Sequence, residues 1–233
     1  MVRSRFKGAL YKQIGSTPQR EKMATMLRVV VLLMGVGAIL AQQPKRCDTP
    51  KAWQGQMSTL NFTSNKVDRF IVVYDEANER KLFVEEQIEV VPGRSFYEYL
   101  ILNRENIMYT VDLRKNICTK SVPNPWRPIG IPENATFEFE YNLGGPNEGF
   151  TAQEWSDRIE FEKITSWIGV FSVEYCYPVR EILLQSGGID FSNVRDFYNI
   201  VVGIPDPNNF IPPKACDNAT WAEPHDRYLK FLI

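Results

Sequence analysis

The chain has 233 residues, with 27 basic and 28 acidic side chains, one histidine and four cysteines. Residues 1–41 hold seven of the basic side chains and one acidic, which leaves 20 and 27 over residues 42–233, a net charge of −7. No excess of cations is present to neutralise phosphates, so nucleic acid is excluded as a partner, and a Ser-His-Asp or Cys-His centre would have only His225 to use.

The N-terminus is basic, then apolar over residues 29–40, then polar at Gln42-Gln43-Pro44-Lys45-Arg46. This layout predicts a secretory signal peptide cleaved near Ala41. The apolar run is short of the roughly 20 residues that a membrane span needs. Met23 or Met26 would begin a leader of ordinary length, which makes the residues before them an N-terminal extension. Residues 1–41 are therefore read as extension plus signal peptide, and residues 42–233 as one domain. Cys47, Cys118, Cys176 and Cys216 all lie in that domain. In an oxidising compartment an even count implies two disulfides, with three connectivities open. The absence of a CxxC pair gives no sign of a zinc ribbon or a thioredoxin-like site.

The region after Ala41 reads as β hairpins. Strands are predicted over 70–74 and 81–90, joined by the polar turn 75–79, and over 96–102 and 107–113, joined by Asn103-Arg104-Glu105-Asn106. Further strands are predicted at 137–141, 167–175, 179–184 and 197–202, with Pro-rich connections at 123–132 and 204–213. In the strand after Asn134, Phe137, Phe139 and Tyr141 alternate with Glu138, Glu140 and Asn142. A Gly144-Gly145-Pro146 turn closes it. Thr151-Ala152-Gln153-Glu154 then has capping-box spacing, which predicts a short helical turn through Trp155. The spacing of strands predicts an all-β protein, an antiparallel sandwich or a partly open barrel.

The chemistry-bearing residues are few. Glu138 and Glu140 would lie about 7 Å apart on one strand face, near a glycosidase spacing, but a solvent-facing stripe is the better reading. His225 sits in a polar tail, Glu223-Pro224-His225-Asp226-Arg227, without a rigid shell to tune it. No catalytic residue is assigned and an enzyme is not expected. Asp75-Glu76 with Asn78-Glu79, and Asp206 with Asn208-Asn209, are oxygen-rich but read first as turns, and no EF-hand pattern occurs. Asn61, Asn134 and Asn218 each begin a glycosylation sequon. The strongest apolar stripes are Phe137, Phe139 and Tyr141, and Trp167, Gly169, Phe171, Val173 and Tyr175, with Gly169 leaving room on its face.

Residues 125–158, PWRPIGIPENATFEFEYNLGGPNEGFTAQEWSDR, closely resemble the ependymin family, especially its mammalian ependymin-related branch. Cys47 with Trp53 and Gly55, Phe96-Tyr97-Glu98-Tyr99, Cys118, Trp167-Ile168-Gly169, Cys176-Tyr177-Pro178-Val179 and Pro212-Pro213 before Cys216 extend the resemblance over roughly residues 47–216. It implies two antiparallel sheets around a deep apolar pocket, like bacterial lipoprotein carriers, and a tendency to form homodimers. It implies the pairs Cys47–Cys176 and Cys118–Cys216. Periodicity makes Phe137, Phe139, Tyr141, Trp167, Phe171 and Val173 core; the resemblance makes that core hollow and these residues pocket walls. The function so implied is a secreted or lysosomal glycoprotein that binds a hydrophobic small molecule or lipid, with calcium as a potential cofactor whose ligands are unassigned. The alternative is an extracellular calcium-binding protein of cell–matrix adhesion or signalling.

Overall fold

The computed structural model describes residues 22, 23, 26–28, 30, 44–61, 66–86, 95–145, 147–158, 166–184 and 193–222. Most of the leader run, the cleavage point at Ala41 and His225 lie outside them. The chain divides into two compact units, Met1–Lys45 and Arg46–Ile233. In the first, the described residues are mostly helical and exposed. No helix among the described residues is long and apolar enough to cross a membrane.

The second unit is all-β. Its strands are β1 (Ala52–Asn61), β2 (Lys66–Asp75), β3 (Arg80–Glu85), β4 (Tyr97–Leu102), β5 (Ile107–Asp112), β6 (Ile117–Ser121), β7 (Thr136–Leu143), β8 (Phe150–Ser156), β9 (Trp167–Ser172), β10 (Pro178–Leu183), β11 (Asn193–Val202) and β12 (Thr220–Trp221). They form one sheet in the order β12-β6-β5-β4-β3-β2-β1-β11-β10-β9-β8-β7. Two antiparallel meanders, β1–β6 and β7–β11, are spliced where β1 pairs with β11. The two sheets implied by the resemblance are thus two halves of one hydrogen-bonded surface. The sheet stays open, with β7 and β12 at its ends.

Local sequence explains the tight connections. Asp75 accepts hydrogen bonds from the Asn78 main-chain N–H at 3.2 Å and its side-chain amide at 2.7 Å, and Glu79 then takes a left-handed φ of 53° into β3. Asn106 and Asn116 do the same at φ 55° before β5 and β6. Gly55 sits where a bulge lets β11 close on β1; a Cβ there would meet Tyr198 O at 3.1 Å and Ile200 Cγ1 at 3.2 Å.

The register sorts the side chains onto two faces. One carries Trp53, Met57, Phe70, Val72, Tyr74, Phe83, Tyr99, Ile101, Met108 and Phe197, which pack as a single core. The Pro-rich stretch 122–135 lies over this face: Trp126 stacks on Tyr74 at 5.8 Å, and the Ile129 N–H donates to the Tyr74 hydroxyl at 3.1 Å. Under that cover this is the concave face of the open sheet, and its reverse the convex one. On the opposite face, the second Pro-rich stretch covers β2–β6, with Phe210 packed among Val73, Leu82, Leu100 and Leu102. Cys118–Cys216 fastens that cover, and Cys47–Cys176 fastens the chain before β1 to the turn after β9. These are the two pairs that the resemblance implies.

Two sequence expectations are corrected. Residues 150–156 form strand β8, not a helical turn. The capping-box spacing is a purely local signal, whereas this segment is hydrogen-bonded to β7 on one side and β9 on the other. The strand predicted over 167–175 ends at Ser172; Val173, Glu174 and Tyr175 turn away toward β10, with Cys176 at φ 54°.

Candidate functional site

The strict alternation expected in β7 is broken by a bulge. Phe137 pairs with Trp155 and Phe139 with Glu154, so two neighbours on β8 oppose residues two apart on β7. Neighbouring residues of a strand point to opposite faces, so the bulge sends Phe137 to the concave face and Phe139 and Tyr141 to the convex one. Phe137 packs edge-on against Trp155 at 5.4 Å and joins a cluster with Trp167, Phe171 and Cys176. Phe139 is 50% exposed and lies against Tyr141 at 5.0 Å. Tyr141 sits beside Glu154, where partial burial and that carboxylate raise the phenol above its ordinary range. Phe139 and Tyr141 are therefore not interior walls.

The remaining predicted walls also divide. Trp167 and Phe171 are fully buried on the concave face, their rings 6.3 Å apart. They close over Gly169: a Cβ there would lie 2.2 Å from Trp167 Cζ2 and 2.7 Å from Phe171 Cε2. The room expected at Gly169 is thus taken by its own neighbours' rings. Val173, in the turn after β9, is exposed.

Glu138, the bulged residue, bonds Ser156 and Arg158, and Glu140 accepts from Gln153 Nε2 at 3.0 Å. Their carboxylates are held separately, which is not a general acid–base pair across a cleft. The two oxygen-rich loops likewise spend their carboxylates within the turns. Asp75 is taken by Asn78 and by Arg80 at 2.8 Å, and Asp206 Oδ1 caps the Asn208 N–H at 2.9 Å. Among the described residues there is no group of three His, Cys, Asp or Glu placed to hold a metal ion. Asn134 and Asn218 are exposed; the side chain of Asn61 lies outside the described residues.

Two concavities lined by described residues bear on the site. A polar cleft of about 580 Å³ runs between Asp48, Lys51, Glu76, Arg127 and Asp157, with Asn134 on its rim. Within it Lys51 bonds Glu76 at 2.6 Å, and Asp157 accepts the Ser166 and Trp167 N–H groups. The second is an open groove of about 670 Å³. It is lined by Phe150 of β8, Val173, Tyr175, Tyr177 and Val179 around the β9–β10 turn, and Phe197 to Ile200 of β11. Tyr175 and Tyr177 stack at 5.4 Å, and Phe150, Val173 and Tyr175 are exposed. Phe197 joins this groove to the concave core, where its ring meets Trp53 edge-on at 6.0 Å. Sequence reading misses Phe150, Tyr177, Val179 and Phe197 as groove residues. Their neighbourhood depends on the β11 bulge at Asn199, with φ 53°, and on the early end of β9, which no periodicity displays.

The concave face also carries buried polar side chains. Trp155, Gly169, Glu181, Arg195 and Thr59 are cross-strand neighbours in one row. Arg195 Nη1 lies 3.5 Å from Glu181 Oε2, and Trp167 Nε1 donates to Glu181 Oε1 at 3.2 Å. Asn193 occupies the next position on the same face of β11. Lys81 is buried, donates to the Arg127 carbonyl at 2.8 Å and lies 4.5 Å over the Trp126 ring. Burial, with the charges of Arg195 and Arg127 against that of Glu181, pulls its amine down to about 7.

The chain was compared with known proteins. The family model for Ependymin matches residues 92–216. Mammalian ependymin-related protein 1 of Rattus norvegicus is 34% identical over 192 residues, covering 82% of this chain and 85% of that protein. Among solved structures, an uncharacterized conserved protein from Thermus thermophilus aligns over 81% of this chain and 98% of its own, at TM-score 0.48 and 14% identity. A LolA superfamily protein from Nitrosomonas europaea aligns over 70% and 91%, at TM-score 0.40 and 10% identity. The family match and the curated relative agree with the motifs around residues 125–158, and the chain belongs to the ependymin family.

Proposed function

We propose that this protein binds an acyl-chain lipid or similar hydrophobic molecule, without transforming it, in an oxidising compartment outside the cytosol. The observation that carries this reading is the groove between the β9–β10 turn and β11. Its volume lies within the roughly 300–1,000 Å³ usual for small-molecule sites, and its walls are Phe150, Val173, Tyr175, Tyr177 and Val179. Exposed aromatics gathered on one concavity are costly unless something covers them. Both disulfides are in keeping with secretion or a lumen. The Glu138 and Glu140 carboxylates are each engaged by their own partners on β8. Membership of the ependymin family supports the same reading, with removal of a signal peptide near Ala41, glycans at Asn134 and Asn218, and homodimers as its further parts.

The test is uptake of a fluorescent fatty acid by two charge variants. Val173→Glu puts a carboxylate into the groove; Val67→Glu does so at an exposed valine on β2, outside it. Both sites are exposed, so stability should change by no more than about 0.5 kcal/mol. Uptake should fall for Val173→Glu alone. Equal uptake by both variants and the parent would refute the groove as the binding site.

A further inference from the structure

The open groove beside the β9–β10 turn has a direction. At one end Phe197 is buried and meets Trp53 of the concave core at 6.0 Å. At the other, Tyr175 stands in the turn itself and is 59% exposed. An amphiphile laid in this groove puts its chain toward Phe197 and its head group at the turn, because burying a polar head at the closed end is costly.

The chemistry at the open end is one-sided. Glu174 is the one charged side chain among the described residues that line the groove, and no lysine, arginine or histidine is among them. Glu174 is exposed, and its carboxylate accepts from the Tyr175 hydroxyl, which holds that phenol above its ordinary range. Tyr175 and Tyr177 stack at 5.4 Å, so each leaves one ring face uncovered by the other, and Phe150 adds an exposed ring. Aromatic faces are electron-rich and attract cations. A carboxylate head here would meet Glu174 with no cation to offset it, which selects against anionic lipids. A primary ammonium holds its water strongly. A quaternary ammonium spreads its charge over methyl groups and suits aromatic faces.

We propose that the end of the groove formed by Glu174, Tyr175 and Tyr177 receives a quaternary-ammonium head group, so that the ligand is an acyl-chain lipid carrying choline. The proposal rests on the lipid-binding reading and specifies the class of lipid. The trimethylammonium group lies against the tyrosine rings, with Glu174 as its counter-charge. The acyl chain runs past Val179 toward Phe197. The phosphate that carries the choline stays in water, since the groove offers it no cation.

The experiment is equilibrium binding of palmitoyl lysophosphatidylcholine and palmitoyl lysophosphatidylglycerol, below their micelle concentrations, to the full protein produced in animal cells. The two lipids share an acyl chain and a phosphate and differ in choline against glycerol. The parent should prefer the choline lipid by roughly tenfold. Glu174→Gln and Tyr175→Leu should each cut that preference about threefold, whereas Tyr175→Phe, which keeps the ring, should retain most of it. Glu105→Gln removes one negative charge in the turn between β4 and β5, outside the groove, and should leave the preference unchanged. Glu105, Glu174 and Tyr175 are all exposed, so the variants should melt with the parent. Equal binding of the two lipids by the parent would overturn the choline site and leave lipid binding standing. An equal loss of preference in Glu174→Gln and Glu105→Gln would assign it to the protein's net charge and overturn the site. A preference that survives both Glu174→Gln and Tyr175→Leu would overturn it too. Binding of neither lipid would remove the lipid reading along with it.

Discussion

At the scale of single residues, aromatics that look alike in the sequence do different work. Phe171 is fully buried against Trp167, whereas Phe139 is half exposed on the other face. Phe171→Ala should cost about 3–5 kcal/mol through lost transfer and the cavity left behind. Phe139→Ala should cost under about 1.5 kcal/mol, the value of its contact with Tyr141. Urea unfolding of the two variants checks this; equal costs would mean that the β7 bulge is misplaced. Lys81 gives a pH signature. Burial, aided by Arg195 and Arg127 and opposed by Glu181, holds its amine near 7, against about 10.5 in an open chain. Between those values the unfolded chain binds the extra proton, so stability rises with pH from about 7 to 10. The melting temperature of the parent should climb across that window, and Lys81→Met should flatten the climb. Parallel profiles for the two proteins would show that the Lys81 amine keeps its ordinary proton affinity when folded.

At the scale of elements, hairpins with their own turn chemistry are legible in the sequence. The turns at 75–79 and 103–106 stand where polar residues and a residue at positive φ require them. Strand β1 escapes a sequence reading, although Trp53, Met57 and Thr59 alternate with Gln54, Gln56 and Ser58, because Gly55 and Thr59 mute its apolar face. Strand β8 is disguised by its capping-box residues, whose conformation is decided by pairing partners on both sides. The β7 bulge is invisible, since an inserted residue leaves the letter pattern of alternation intact while reversing which side it faces. Phe139 and Tyr141 are misplaced as interior walls for that reason, and Val173 leaves the β9 stripe because β9 ends at Ser172, although it does line the groove. The cover over β2–β6 owes its attachment to Cys118–Cys216, which joins positions 98 residues apart. Replacing both cysteines by alanine should cost up to about 4–5 kcal/mol in the chain-entropy account. Hydrogen exchange should then rise first at residues 204–219. Protection unchanged there would show that Phe210 alone holds the cover.

At the scale of the whole molecule, the fold is an open sheet curled over a core that mixes packed aromatics with buried charge. A filled hydrophobic core would be more stable without Lys81, Glu181, Arg195 and Asn193, since buried ion pairs rarely repay their desolvation. Their presence on the same sheet as a groove of about 670 Å³ accords with the proposed binding of a lipid. The most direct measurement is native mass spectrometry of the protein produced in animal cells, before and after organic extraction. The account predicts adducts with the mass of acyl-chain lipids, lost on extraction and restored by added palmitate. A single ligand-free species before extraction, with no uptake of palmitate afterwards, would contradict it.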